Sequence, residues 1–345
     1  MKSLSGGREV PVRRLFGERM REPMKEEILR MLKETGDYVS GQELSQRLHV
    51  SRSAVWKHIK ALKEEGYEID SVTNRGYLLK NIPELWDKQQ IEENLKTLRL
   101  GRELLLLHKV DSTNEELKRR ARSGAVHGLV CVAEKQVAGK GRLGRVWSSP
   151  AGVGIWMSVL LRPDISPFEV SGITLAAGLA VCRAVQKLTG CNAKIKWPND
   201  VVIGRKKVCG ILTEMSAESD RVDFTVVGIG INVNTDSFPE EIACKATSLK
   251  IETGKHLSRT ALLCEVLLQL EIYTDEFLLN TCGSITDEYK ENCVTIGRKV
   301  SAVRGGVQVM GEAVDVTLSG ALVIREKNGK LTEINSGEVV VQGIY

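Results

Sequence analysis

Gly139-Lys140-Gly141-Arg142-Leu143-Gly144-Arg145 puts three cations into six residues of a glycine-rich stretch. Its spacing matches the dinucleotide fingerprint G-x-G-x-x-G. That motif needs a helix directly behind it, so that the helix N-terminus faces the pyrophosphate. Val146-Trp147-Ser148-Ser149-Pro150 follows instead, and reads as loop. No G-x-x-x-x-G-K-[ST] occurs, so a P-loop is excluded too. What remains is a pliable cationic loop able to close over a polyphosphate or an acyl phosphate, its arginine forks pairing with phosphate oxygens. The plainer reading is a solvated basic loop.

Three further segments could join it. In Lys196-Trp197-Pro198-Asn199-Asp200, the proline holds Trp197 extended and the chain then presents Asn199 and Asp200 at a strand end. A carboxylate there can hold Mg²⁺ beside phosphates, because hard cations prefer oxygen ligands. Lys206-Lys207-Val208-Cys209-Gly210 opens the next apolar strand, where Lys207 can neutralise a carboxylate reacting at phosphorus. Asp111-Ser112-Thr113-Asn114 offers small polar side chains that either cap a helix or hydrogen-bond a urea-like group. Gly228-Ile229-Gly230-Ile231-Asn232 is an apolar strand bare enough for a flat ring to approach its backbone, or for tight sheet packing.

These segments need a scaffold, and from about Leu104 the pattern reads as α+β. Strands are expected over Leu104–Val110, Leu129–Glu134, Ile155–Leu161, Ala193–Trp197, Val208–Met215 and Phe224–Val233. Helices are expected from Ser112 to about Arg122, over Pro167–Leu188 and over Ser258–Leu279, the last with Leu262, Val266, Gln269 and Tyr273 along one side. The tail from about Thr295 to Tyr345 shows no helical period. Turns at Gly305-Gly306, Ser319-Gly320, Asn328-Gly329 and Ser336-Gly337 predict a small β-barrel there.

The front of the chain follows another plan. Met24, Ile28, Met31 and Leu32 recur at helical spacing, and Ser40-Gly41-Gln42-Glu43 is a capping-box pattern for a helix carrying Leu44 and Leu48. Val50-Ser51 turns into a second helix, Arg52 to about Glu65, with Val55, Ile59 and Leu62 on one face and Gly66 at its end. Short strands Tyr67–Val72 and Tyr77–Leu79 flank the turn Asn74-Arg75-Gly76. Helix, helix–turn–helix and hairpin make a winged helix. Residues 1–23 are polar and basic and are expected to be a disordered leader, without the apolar stretch of a signal peptide. The expected domains are therefore a leader over 1–23, a winged helix over 24–82, a central mixed-sheet α/β domain over 83–290 reached through a linker at Pro83, and a small SH3-like barrel over 291–345.

The formal net charge of +5 decides little, but its distribution is informative. From Leu44 to Lys63 stand Arg47, Arg52, Lys57, Lys60 and Lys63 with no acid among them, a stripe that can meet phosphates or simply face water. The eight cysteines contain no Cys-x-x-Cys pair, which argues against a zinc knuckle or a thioredoxin-type site and for buried, reduced thiols of a cytoplasmic protein. No uninterrupted apolar run reaches the ~18 residues of a membrane span.

In this order and spacing the segments DSTN at 111–114, AEKQVAGKGRLGRVW at 133–147, KWPND at 196–200, KKVCGIL at 206–212 and GIGINVN at 228–234 resemble the biotin protein ligase family. The winged helix in front is similar to the bifunctional class, the biotin operon repressors. The resemblance implies formation of biotinyl-5′-AMP from biotin and Mg-ATP, transfer of biotin to a lysine of a biotin carboxyl carrier protein, and repression of biotin-synthesis genes by a homodimer formed when biotinyl-AMP is bound. It implies that Ser112, Thr113, Asn114 and Gln136 hold the ureido ring, and that Lys140, Gly141 and Arg142 close over biotin and phosphate. Arg142 would be the main partner of the nucleotide phosphates, with Arg145 assisting; Lys207 would orient the carboxylate; Asn199, Asp200 and Asn232 would sit by the nucleotide, Asp200 near the metal; Trp147 would cover the ligand. For operator DNA, Arg52, Ser53 and Lys57 would face the major groove, with Arg47, Lys60 and Lys63 on phosphates. One departure stands out: Lys140 fills a slot where the family commonly carries arginine, so charge survives and the bidentate fork does not. Two other readings share parts of this pattern, a lipoate ligase and a non-catalytic small-molecule sensor. The sensor accounts poorly for Lys207, Asp200 and the cationic loop.

Overall fold

A computed structural model of the chain describes residues 21–344 apart from 83, 219, 280–282, 305 and 336. The expected leader lies outside the described residues as far as residue 20, as do Gly305 and Ser336 of two expected turns. The chain divides into two compact units that part between Glu84 and Leu85.

In the first unit, α1 (Arg21–Thr35) begins inside the stretch expected to be leader. It packs Ile28, Leu29, Met31 and Leu32 against α2 (Gly41–Arg47) and α3 (Arg52–Glu64). Both of the last two helices start as expected: the Ser40 hydroxyl accepts from Glu43 N at 3.0 Å and Ser51 accepts from Ala54 N at 3.2 Å. Each cap of this kind contributes about 1 kcal/mol. Val55, Ile59 and Leu62 are buried at helical spacing, and the hairpin of β1 (Glu68–Val72) and β2 (Gly76–Asn81) adds Ile69. A side chain at Gly76 would lie 2.1 Å from the Val39 carbonyl oxygen, so this turn position has room only for glycine.

The second unit is built on a seven-stranded sheet in the order β3-β4-β5-β9-β8-β7-β6. Its strands are β3 (Leu104–Val110), β4 (Val130–Gln136), β5 (Gly154–Leu161), β6 (Ala193–Lys196), β7 (Asp200–Ile203), β8 (Lys206–Glu218) and β9 (Arg221–Asn232). Only β3 and β4 run parallel. One face carries α6 (Val170–Thr189) and α9 (Arg259–Leu278) over a continuous core that includes Met157, Val159, Val227, Ile229 and Ile231. By length and hydropathy the 167–189 segment could cross a membrane, although no uninterrupted apolar run marks it; its most apolar 18-residue stretch is 72% buried inside the protein, as a core helix is.

The opposite face changes character along the strands. Under α5 (Thr113–Arg122) it is apolar, with Leu117, Cys131, Leu160, Phe224 and Val226. Further along the same alternation a serine and three glycines interrupt the large side chains. Ser158, Gly228 and Leu212 are paired across three strands, and so are Trp156, Gly230 and Gly210. The first turn of α5 stands over the first group, and a cleft opens above the second.

The 295–344 segment forms a five-stranded antiparallel sheet in the order β13-β12-β11-β10-β14, from β10 (Lys299–Arg304), β11 (Val307–Val316), β12 (Leu322–Glu326), β13 (Leu331–Ile334) and β14 (Val339–Val341). It belongs to the same compact unit as the seven-stranded sheet and joins its core. The Trp197 indole donates to the Gly320 carbonyl at 2.9 Å, and Lys290 of α10 (Gly283–Asn292) pairs with Asp315 at 2.7 Å. Among the thiols, Cys244 is exposed and Cys191 half-buried, against the expectation that they are buried; Cys282 lies outside the described residues.

One buried ion pair fixes the start of the unit. Arg259 and Glu134 are 1% and 4% exposed and meet at 3.0 Å; Glu134 also accepts from Trp86 N at 2.6 Å, and the Trp86 ring lies 4.3 Å from the guanidinium. Arg259→Met leaves a buried carboxylate without its cation and is expected to cost about 3–5 kcal/mol, read as a lowered urea midpoint. Adding Glu134→Gln should recover much of that loss; equal stability of the single variant and the wild type would refute the assignment.

Candidate active site

All twelve site residues expected in this unit line one cleft of about 800 Å³: Ser112, Thr113, Asn114, Gln136, Lys140, Gly141, Arg142, Arg145, Asn199, Asp200, Lys207 and Asn232. Its floor is the glycine-rich part of the sheet. A Cβ on Gly230 would lie 2.5 Å from the Trp147 indole nitrogen, and one on Gly210 would lie 3.0 Å from the same ring. Trp147 meets Trp156 edge-on, with centroids 6.4 Å apart. The flat ring that the bare strand accommodates is therefore this chain's own Trp147.

The roof is the loop of residues 139–147. It is a hairpin: Trp147 N donates to Gly139 O at 2.9 Å and Gly141 N to Arg145 O at 2.7 Å, around a 3₁₀ turn over Arg142–Gly144. Leu143 takes a φ of +56°, a conformation costly for a branched residue. The three cations splay apart. Arg142 donates through Nη1 to Asn199 Oδ1 at 3.0 Å and through Nη2 to Gly337 O at 2.8 Å. Arg145 pairs with Glu338 at 2.7 Å and Lys140 with Glu115 at 2.6 Å. Burial pulls the Arg142 guanidinium below its ordinary value, offset in part by Asp200 and Glu338.

At the back wall, Lys207 Nζ lies 2.5 Å from Asp200 Oδ1 and 5.1 Å from the centre of the Trp147 ring. The start of β8 is pinned by Lys207 N donating to Lys245 O and Thr247 N donating to Lys207 O. Asn199 Nδ2 donates to Ile211 O at 2.7 Å, which leaves its carbonyl for Arg142. Asn232 is buried and donates to Thr247 O at 3.1 Å.

The polar cluster at the other end is more interlocked than its sequence implies. Ser112 sits at the N-cap of α5 but its side chain makes no cap hydrogen bond, so the capping reading is corrected. Asp111 is instead clamped by both terminal nitrogens of Arg119, which hold its carboxyl down at about 2. Thr113 donates from backbone and hydroxyl to Gln136 Oε1, and Gln136 Nε2 donates to Ser149 Oγ at 2.8 Å. Asn114, 3% exposed, donates to Leu212 O and to Glu214 Oε2 at 2.8 Å, while Ser158 Oγ bonds both Thr113 and Asn114. A continuous hydrogen-bonded chain thus runs from Glu214 through Asn114, Ser158, Thr113, Gln136 and Ser149 to the Trp147 carbonyl at the base of the hairpin.

Sequence reasoning missed several of these groups. Lys196 is buried in the cleft wall and burial lowers its ammonium pKa, partly offset by Asp200; it stood within a motif already singled out. Ser158 was hidden inside an apolar run, and Glu214, Gly337 and Glu338 carried no signal. In the other unit Arg52, Ser53, Lys57 and Lys60 are exposed along α3, and Arg47 is exposed and pairs with Glu43 at 3.2 Å.

Comparison with known proteins agrees with this architecture. Residues 106–232 match the biotin/lipoate A/B protein ligase family, 25–78 an HTH domain and 295–341 the biotin protein ligase C-terminal domain. The chain is 36% identical over 323 residues to the bifunctional ligase/repressor BirA of Bacillus spizizenii, covering 93% of this chain and 99% of that protein. It is 29% identical to BirA of Escherichia coli over 88% of this chain and 93% of that one. The biotin protein ligase of Aquifex aeolicus, solved in complex with biotin and ATP, superposes with a TM-score of 0.61 at 34% identity, covering 70% of this chain and 99% of that chain. Cleft, cationic hairpin, C-terminal sheet and leading helix–turn–helix thus occur together because the chain belongs to the biotin protein ligase family, in its bifunctional ligase/repressor branch.

Proposed function

We propose that the chain joins biotin to ATP to form biotinyl-5′-AMP, passes the biotinyl group to a lysine of a biotin carboxyl carrier protein, and represses biotin-synthesis genes through its winged helix. The observation that carries this is the cationic hairpin roofing a cleft that has a glycine floor at one end and an interlocked amide and hydroxyl cluster at the other. A urea-like ring fits the Ser112, Thr113 and Gln136 end, where donors and acceptors are held by packing. A nucleotide phosphate fits between Arg142, Lys196 and Lys207.

In the first step a carboxylate oxygen attacks the α-phosphorus, the bond to the β-phosphate bridge breaks, and pyrophosphate leaves. Lys207 offsets the carboxylate's charge against the incoming phosphate, and Arg142 stabilises the charge that grows on the phosphorus oxygens. With the hairpin down, water is kept from the mixed anhydride. In the second step the carrier's amine attacks the acyl carbon, loses its proton, and AMP leaves. Magnesium, when bound, would screen the triphosphate. Asp200, a cleft carboxylate already facing the Lys207 ammonium, would be the residue that holds it.

The test is mass spectrometry of a carrier domain incubated with the chain, Mg-ATP and either biotin or lipoate. Gain of one biotinyl group, and none of lipoyl, is expected; the family model that matches the chain covers ligases of both acids, so the reverse result would make it a lipoate ligase. The Ser158→Ala variant should raise KM for biotin by about 5–30-fold with kcat little changed, because the buried Asn114 carbonyl loses its hydroxyl donor and Thr113 loses its hydroxyl partner. An unaltered KM would remove the cluster from biotin binding.

On the DNA side, a homodimer promoted by biotinyl-AMP would place two winged helices on a two-fold operator and couple one ligand to two outputs. A gel shift on the biotin-synthesis promoter that fails with and without biotin would end the repressor reading. Action on DNA with ATP in hand accords with a cytoplasmic location.

A further inference from the structure

Among the described residues of the winged-helix unit, the large exposed apolar side chains are Trp56, Val72 and Ile82, and Trp56 is the one on the second helix of the helix–turn–helix. It is 54% exposed, whereas Val55, Ile59 and Leu62 of the same helix are buried. The charged residues of its helix are positive up to the last turn, where Glu64 stands: Arg52, Lys57, Lys60 and Lys63 share the helix, and no acid stands between Leu44 and Lys63. The Lys60 ammonium lies 5.5 Å from the ring centre, which biases the indole toward one orientation instead of a free sweep through solvent.

An exposed indole on a helix rich in cations suits a polyanion that presents an apolar group between its charges. It does not suit a second copy of the same face, which would press like charges together. The first two turns of such a helix are the part that reaches base edges, and Trp56 lies in the second turn behind the Ser51 cap. The apolar feature of the major groove is the thymine C5-methyl. The neighbouring lysines and arginine reach phosphates, which bind every sequence alike.

We infer that Trp56 reads thymine: its indole packs on a thymine methyl in the major groove and supplies sequence discrimination that the surrounding cations do not. The inference rests on the DNA-binding reading above. An acidic protein partner would meet the same cations, yet would be indifferent to a base methyl.

The test starts by selecting binding sites from a random duplex pool with the full chain and biotin plus Mg-ATP. Affinities of the wild type, Trp56→Ala and Trp56→Phe are then measured on the selected duplex, on a scrambled one, and on the selected duplex carrying deoxyuridine for thymine. Trp56→Ala should lose about 10- to 100-fold on the selected duplex, and Trp56→Phe less. Scrambled DNA should bind all three alike with the same salt slope. Uracil should weaken the wild type several-fold, on the order of one buried methyl, and leave Trp56→Ala untouched. Thermal melting of the variants should match the wild type, since the ring is exposed. Equal losses on both duplexes, or a uracil effect that persists in Trp56→Ala, would overturn the thymine assignment. A wild type that binds every sequence alike would also overturn it, whereas one that binds no duplex at all would overturn DNA binding itself, a distinguishable failure.

Discussion

Lys207→Ala is expected to slow formation of the adenylate by about 10²–10³-fold, the loss typical when a preorganised charge facing a reacting centre is removed. The geometry makes the effect larger than a simple deletion. Lys207 is within 2.5 Å of Asp200, so its removal leaves a carboxylate facing the place where a second carboxylate and a triphosphate must meet. The substitution thus exchanges an attractive charge for a repulsive one that has lost its nearest cation. Lys207→Arg should recover little, because a planar fork cannot take the place of a compact ammonium packed against the Trp147 face. Adding Asp200→Asn to Lys207→Ala should restore part of the rate by removing the repulsion. The measurement is single-turnover pyrophosphate release; a rate within about threefold of wild type would show that Lys207 is not at the reacting carboxylate.

The parts of this molecule that sequence foretold are those governed by period. In β9, Val227, Ile229 and Ile231 alternate with Gly228 and Gly230, so one side had to be core and the other bare, and the structure places them so. Ser40 and Ser51 announced their helices for the same local reason. What escaped was whatever depends on distant pairing. Arg145 and Glu338 are 193 residues apart, and nothing local marks Glu338 as a partner. Ser158 has the spacing of its apolar neighbours and differs only by a hydroxyl whose partners arrive from α5. Helix α4 (Lys88–Asn94) anchors on Ile91, its one buried residue, and the short β7 on Val201 and Val202; neither has enough buried positions to show a period. The cleft residues were legible as chemistry, since cations beside glycines have few uses. Their arrangement was not: Asn114 points its amide nitrogen at Glu214 and Leu212 and its carbonyl at Ser158, a placement that only the distant pairing of α5 with the sheet decides.

The hairpin tip offers the sharpest contrast between two arginines three residues apart. Arg142 is half-buried and spends both terminal nitrogens bridging Asn199 to the carbonyl of Gly337, so it ties the roof to the wall and to the C-terminal sheet at once. Arg145 lies at the surface, its pair with Glu338 66% and 52% exposed. Exposed pairs contribute about 0–1 kcal/mol, whereas a charge-assisted bond in a partly closed site contributes about 1.5–3 kcal/mol. Arg142→Gly should therefore raise KM for ATP by about 10–100-fold, the fold-change corresponding to one charge-assisted bond from the guanidinium to phosphate. It also places a third glycine beside Gly141 and Gly144 in a turn already strained at Leu143, which favours an open, disordered roof. Activated biotin should then escape before the carrier arrives and label bystander lysines, detected by mass spectrometry on an added unrelated protein. Arg145→Ala should shift KM by no more than about threefold and leave bystanders unlabelled. If the two variants behave alike, retention does not depend on the bridge to Asn199 and Gly337, and the tie between hairpin and C-terminal sheet is only structural.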